Sequence, residues 1–188
     1  RSCPCPDCRD FKVHLHEERL RPEHMKPARK PRVIGVQFTG ELFDPQRPYV
    51  DICACLDAAR PLTGTDTMVF LTQRPDVAAD AIKEWMDARQ RTSLPARWWF
   101  GATVKNPAGL RFAMEHLTQI PSDNLWLSCE PLEAGLEFSD YLTLYPQIRL
   151  VVLGADNTPG RPEVLGLIRD SAVQVHHARA ERQRIAME

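Results

Sequence analysis

The feature that most constrains this chain is a regular alternation of short apolar runs with amphipathic helical patterns. "VIGVQF" (33–38), "MVFLT" (68–72), "WWFGATV" (98–104), "LWLSC" (125–129), "RLVVLG" (149–154) and "VQVHH" (173–177) are short, apolar and rich in β-branched or aromatic residues, as buried strands are. Between them, Ile52, Leu56 and Ala59; Val77, Ala81, Ile82 and Trp85; Leu110, Ala113, Met114 and Leu117; and Val164, Leu165 and Ile168 keep the i, i+3, i+4 spacing of one buried helix face. Pro75 and Pro107 stand near helix starts, where a missing N–H costs nothing. Residues 132–147 interrupt the rhythm, with one short turn expected around "SDYLTLY". Such alternation predicts a parallel sheet with right-handed crossovers and helices on at least one face. Periodicity does not separate a barrel from an open sheet. The expected organisation is one α/β domain over 33–188 preceded by an irregular cysteine-containing arm, 1–32.

With 188 residues and 43% hydrophobic content the chain buries a real core. Its net charge of -1, from 24 basic and 25 acidic residues, creates no global field toward nucleic acid or membrane. A local basic stretch, "RLRPEHMKPARKPR" (19–32), is the exception. It reads first as a solvated linker; alternatively Lys26, Arg29, Lys30 and Arg32 grip phosphates, with the rest of the chain as scaffold. No run of 18 or more apolar residues exists, and the start resembles no signal peptide, so a cytoplasmic protein without a membrane partner is expected.

Three of the six cysteines, Cys3, Cys5 and Cys8, fall in the opening "RSCPCPDC". In a reducing compartment close thiols read as metal ligands before disulfides. Cys53 and Cys55 lie two apart on a helical pattern and read as core residues, as does Cys129 at the end of a buried strand. Only one of His176 and His177 faces the interior, where a hydrogen-bonded core histidine is the ordinary reading.

Polar residues gather just after the strands, where parallel α/β folds build their sites. The ends supply Thr39, Glu41 and Asp44; Thr72, Gln73 and Arg74; Thr103, Lys105 and Asn106; Ser128 and Glu130; and Asp156, Asn157 and Arg161. Together they predict one rim, although each alone reads as a helix cap or turn former. Glu130, ending an apolar strand, needs a partner if buried, and Arg74 or Lys105 is in a position to supply it.

"LTQRP", "VKN", "WLSCEPL" and "GADNTPGRP", in this order behind "VQFTGELF", resemble a largely phage-encoded three-cysteine-motif family related to radical S-adenosylmethionine enzymes. The resemblance spans 33–177. "SCEPL" matches completely; Gln73 replaces a lysine, Glu41 stands for an aspartate and Asp156 for a glutamate, while Asn106 matches. Cys5 and Cys8 match the family's C-x-x-C pair, but Cys3 is closer than its upstream cysteine and Arg9 occupies an aromatic position. The resemblance implies a TIM-barrel-like fold, a partial parallel (β/α)6-type barrel. It also implies a [4Fe–4S] cluster on Cys3, Cys5 and Cys8 whose fourth iron holds S-adenosylmethionine. Thr39 or Glu41 then takes the methionine amine, Arg74 its carboxylate, and Asn106 and Glu130 the ribose hydroxyls, with Asp156 and Arg161 on the same rim. It brings no defined reaction; a nucleic acid or nucleotide is the substrate class expected of a phage-type enzyme.

Two other classes stay open. Zinc on Cys3, Cys5, Cys8 and either His14 or His16 makes a closed structural site without catalysis. Glu41 and Glu130 form a glycoside hydrolase pair if their carboxyls lie about 5 Å apart or somewhat more; an aromatic content of only 7% leaves little to stack a sugar. A sheet lacking the usual first strand exposes an edge for the arm or a second protein chain to cover.

Overall fold

A computed structural model describes residues 20, 30–36, 40–61 and 65–154. The roles expected of Cys3, Cys5, Cys8, His14, His16, Lys26, Arg29, Thr39, Asp156, Asn157, Arg161, His176 and His177 fall on positions outside the described residues, as do the last predicted helix and strand.

Within them the alternation is realised in order: β1 (Val33–Val36), α1 (Tyr49–Ala59), β2 (Thr67–Thr72), α2 (Pro75–Ala88), β3 (Trp98–Thr103), α3 (Pro107–Leu117), β4 (Leu125–Cys129), α4 (Ser139–Leu144) and β5 (Ile148–Leu153). The short turn expected in the irregular stretch is α4, only six residues long. The strands form one parallel five-stranded sheet, ordered β1-β2-β3-β4-β5, whose outer strands are not paired to each other. The architecture is therefore α/β with an open parallel sheet among the described residues.

Strand order never reverses, which sets this sheet apart from doubly wound folds, where a reversal creates the ligand crevice. The reason is visible in burial. Met68, Phe70, Trp98, Phe100, Leu125 and Leu127 share one continuous core with Ile52 and Leu56 of α1, Ile82 and Trp85 of α2, and Leu110, Met114 and Leu117 of α3. Phe70 stacks on Phe100 with ring centroids 4.7 Å apart, and Trp98 packs between Phe70 (5.2 Å) and Trp85 (5.6 Å). The opposite face carries Val33, Gly35, Thr67, Val69, Trp99, Trp126 and Leu150 around an apolar hollow of about 630 Å³. Val33 and Leu150, at its two edges, are 76% and 41% exposed.

One strand is buried on both faces. In β4 every residue is buried because Trp126, on the open side, lies flat across β3. A Cβ on Gly101 would fall closer than 3.0 Å to the Trp126 ring, so only glycine admits this crossing. The indole N–H then donates to the Phe70 carbonyl of β2 at 3.1 Å.

Candidate functional site

Parallel pairing puts all the carboxyl ends of the strands on one edge, so the predicted rim exists for every strand end described. Two hydrogen-bonded knots organise it. The first fastens the loop after β1 to the end of β2. Leu42 and Phe43 plug the core at 1% exposure each, which fixes Glu41 between them and the sheet. Its Oε1 accepts from the Thr72 hydroxyl (2.6 Å) and the Phe43 amide (3.0 Å), while Oε2 accepts from the Gln73 amide (2.8 Å). Thr72 in turn accepts from the Arg74 amide at 2.8 Å. Both Glu41 oxygens are thus engaged by the chain itself, a demanding environment for a hydrolytic acid or nucleophile.

Arg74 folds back on the helix it precedes. Its Nε and Nη2 donate to the two carboxylate oxygens of Asp76 at 3.0 and 2.7 Å in a bidentate pair. That hydrogen bonding holds the Asp76 carboxyl below the ordinary carboxylate range. Asn106 is the N-cap of α3, its side-chain oxygen accepting from the Gly109 amide at 2.9 Å. Lys105 faces Glu133 at 3.9 Å, both side chains well exposed. Gln73, Thr103, Lys105, Asn106 and Phe112 surround a hollow of about 230 Å³ between β2 and β3.

The second knot joins β4 to β5 and settles the condition on Glu130. Glu130 is exposed rather than buried, and the partner it has is neither Arg74 nor Lys105: the Ser128 hydroxyl donates to its Oε2 at 3.1 Å. Burial ends at Cys129, so the carboxylate two residues beyond Ser128 reaches water and needs no cation. The Glu130–Pro131 peptide is cis. Gly154, directly after β5, donates its amide to the Cys129 carbonyl (3.1 Å) and accepts from the Leu132 amide (3.2 Å), and the Glu133 amide donates to the Lys105 carbonyl (2.9 Å). The "SCEPL" turn is thereby tied to the ends of both neighbouring strands. Sequence reasoning did not single out Gly154 or Asp76; a glycine closing an apolar strand was the available signal for the first.

The described cysteines, Cys53, Cys55 and Cys129, are free and buried. Burial, with the adjacent Glu130 charge, pushes the Cys129 thiol up to about 12; burial likewise raises that of Cys55. Neither is a nucleophile at neutral pH. Among the described residues no group of three or more His, Cys, Asp or Glu side chains could hold a metal ion, and no helix is long and apolar enough to cross a membrane. Of the basic stretch, Lys30 is exposed, and Arg32 holds the buried Asp66 through its amide (3.1 Å), Nε (3.2 Å) and Nη2 (2.6 Å).

A protein-family model described as "Protein of unknown function (DUF5131)" matches residues 6–171. Neither the curated proteins nor the solved structures yielded a match.

Proposed function

The chain belongs to the DUF5131 family, whose description carries no reaction, and from that premise we propose that it is a radical-S-adenosylmethionine-like protein of phage type. In this reading the described sheet is an arc of a partial TIM-like (β/α)6-type barrel. Cys3, Cys5 and Cys8 hold a [4Fe–4S] cluster, and the rim receives S-adenosylmethionine. The observation that supports the reading is the sheet itself: a singly wound, parallel, sequential order with the core helices all on one face leaves the other face open, as the inner face of a barrel arc would be, with a polar carboxyl edge.

When bound, the cluster and S-adenosylmethionine supply one-electron cleavage of a sulfonium. The chain's own residues bind and orient. Glu130 offers Oε1, for which no hydrogen bond is formed within the rim described above, to the ribose hydroxyls, with Oε2 steadied by Ser128. Arg74, 40% exposed and already charged opposite Asp76, takes the methionine carboxylate on its open side. Glu41 and Asn106 serve chiefly as frame, the one clamping the β1 loop to β2 and the other starting α3, so that their hydroxyl- or amine-binding surfaces are secondary. Thr39, Asp156 and Arg161 complete the rim in the same reading, and the lumen accepts a nucleotide or nucleic-acid substrate in the cytoplasm.

The test is anaerobic reconstitution of the full chain with iron and sulfide, with a Cys5→Ala, Cys8→Ala variant beside it. About four irons per chain, lost in the variant, and a reduced-cluster electron paramagnetic resonance signal perturbed by S-adenosylmethionine are expected. One tightly held zinc with no iron uptake would replace this reading by that of a zinc-bound scaffold for nucleic acid or a second chain.

A further inference from the structure

On β4 and β5, residues in register share a face: Trp126 opposes Leu150 and Ser128 opposes Val152. One step further along the open face, Glu130 meets Gly154. The contact is unusually close. A Cβ built on Gly154 would lie 2.8 Å from Glu130 Cδ and nearer still to Cγ and Oε1, inside any real Cβ contact. The Gly154 backbone is outside the positive-φ region that calls for glycine, so conformation does not demand glycine here. What demands it is the space that the Glu130 side chain fills.

We infer that Gly154 is a positioning residue for Glu130: its missing side chain is the slot in which the carboxylate lies, with the Ser128 hydroxyl as the second restraint. The three groups come from two strand ends and one turn, and each supplies something different. Gly154 gives room, Ser128 a hydrogen bond to one oxygen, and the backbone ties from Gly154 to Cys129 and Leu132 hold the turn at constant height above β5. An exposed glutamate on a free turn samples many rotamers, and ordering it on ligand binding costs side-chain entropy. Held in this slot, the Glu130 carboxylate occupies one place on the open face before any ligand arrives, with Oε1 against Gly154 and Oε2 on the Ser128 hydroxyl. The ligand chemistry this suits is a hydroxyl-bearing group, donating to a preset carboxylate oxygen. The inference rests on the reading of the rim as the S-adenosylmethionine site, whose ribose carries such hydroxyls.

The substitution that tests it is mild. Because Glu130 is exposed, Gly154→Ala displaces the side chain toward solvent without opening the core, and thermal unfolding close to wild type is expected. Affinity for S-adenosylmethionine, measured calorimetrically on reconstituted full-length protein, should weaken about tenfold in G154A, the loss of one well-formed bond to a charged group. E130Q should weaken binding similarly, and G154A/E130Q should be no weaker than E130Q alone. Ser128→Ala, which adds no atom, gives a second route: it too should lose its effect in the E130Q background. A double variant whose defects multiply, or a G154A protein that binds like wild type, overturns the inference. A ligand-free readout separates this from failure of the site reading. The Ser128 Cβ resonance should respond to E130Q in the Gly154 protein and not in the G154A protein. A wild type that binds no S-adenosylmethionine while showing that resonance pattern refutes the cofactor and keeps the positioning; an equal response in both backgrounds refutes the positioning whatever binds.

Discussion

Gly101 and Gly154 both stand where a Cβ would collide with a neighbouring side chain, yet the consequences of filling them differ because the neighbours differ. Trp126 is buried and pinned by its bond to the Phe70 carbonyl, so it cannot retreat. Gly101→Ala should therefore cost about 3 kcal/mol, the upper range of overpacking, whereas Gly154→Ala should cost well under about 1 kcal/mol, like other surface changes. Chemical denaturation of the two variants side by side checks this. Cys129 supplies a second contrast at this scale. Its thiol, pushed up to about 12, stays neutral in the folded chain, so native protein at pH 8 should leave it unlabelled by iodoacetamide and unfolded protein should not. The sign for stability follows: a raised folded value favours the neutral thiol, and its contribution is intact below an unfolded value of about 8.5 and is lost as pH rises toward about 12. Peptide mapping of labelled cysteines and alkaline unfolding curves read both effects. A buried thiol was legible in "LWLSC"; the glycine contacts were not, because nothing in a single sequence says which side chain will cross a neighbouring strand.

Strands and helices were the most legible level, since each requires only its own period: 2 for β2 and 3.6 for α2. What joins them was not. The amide and side chain of Arg32, in a stretch that reads as solvated or phosphate-binding, close onto Asp66, whose side chain is 0% exposed against 45% for Arg32. This tie fixes the starts of β1 and β2 against each other, assisted by the Thr67 amide donating to the Arg32 carbonyl at 2.8 Å. The two partners should not be equivalent. Replacing Arg32 by Met takes the guanidinium from a buried carboxylate and should be the costlier change. Asp66→Asn leaves a cation that water can reach and an amide that still accepts the backbone bond, for about 1 kcal/mol. Equal losses in urea denaturation would show that burial of the acid is not what sets the energy. The same blind spot explains Glu130: strand periodicity identifies an apolar run ending in a carboxylate but gives no measure of where burial stops, and so leaves open whether the carboxylate needs a cation at all.

At the scale of the molecule, periodicity has no access to whether strands curl into a closed barrel or remain an arc, because both place alternate residues on two faces. The distinction is energetic. In a closed barrel the inner face is packed, and an introduced charge there costs several kcal/mol. In the sheet described here, helices cover only the face of Met68, Phe70 and Leu127, while Val33 and Leu150 border an open apolar hollow. Val33→Lys and Leu150→Lys, whose long stems lie along apolar surface with the ammonium in water, should each change stability by less than about 0.5 kcal/mol. Leu127→Ala on the covered face should cost about 3 kcal/mol. Substitutions at 33 and 150 that destabilise as much as Leu127→Ala would mean that the open face is filled in solution, by chain segments beyond the described residues or by another copy. The result bears directly on function. An open face that tolerates lysine is accessible along its length, from Trp99 and Trp126 in the hollow to the Glu130 carboxylate beside Gly154 on the carboxyl edge, which the proposed ligand requires.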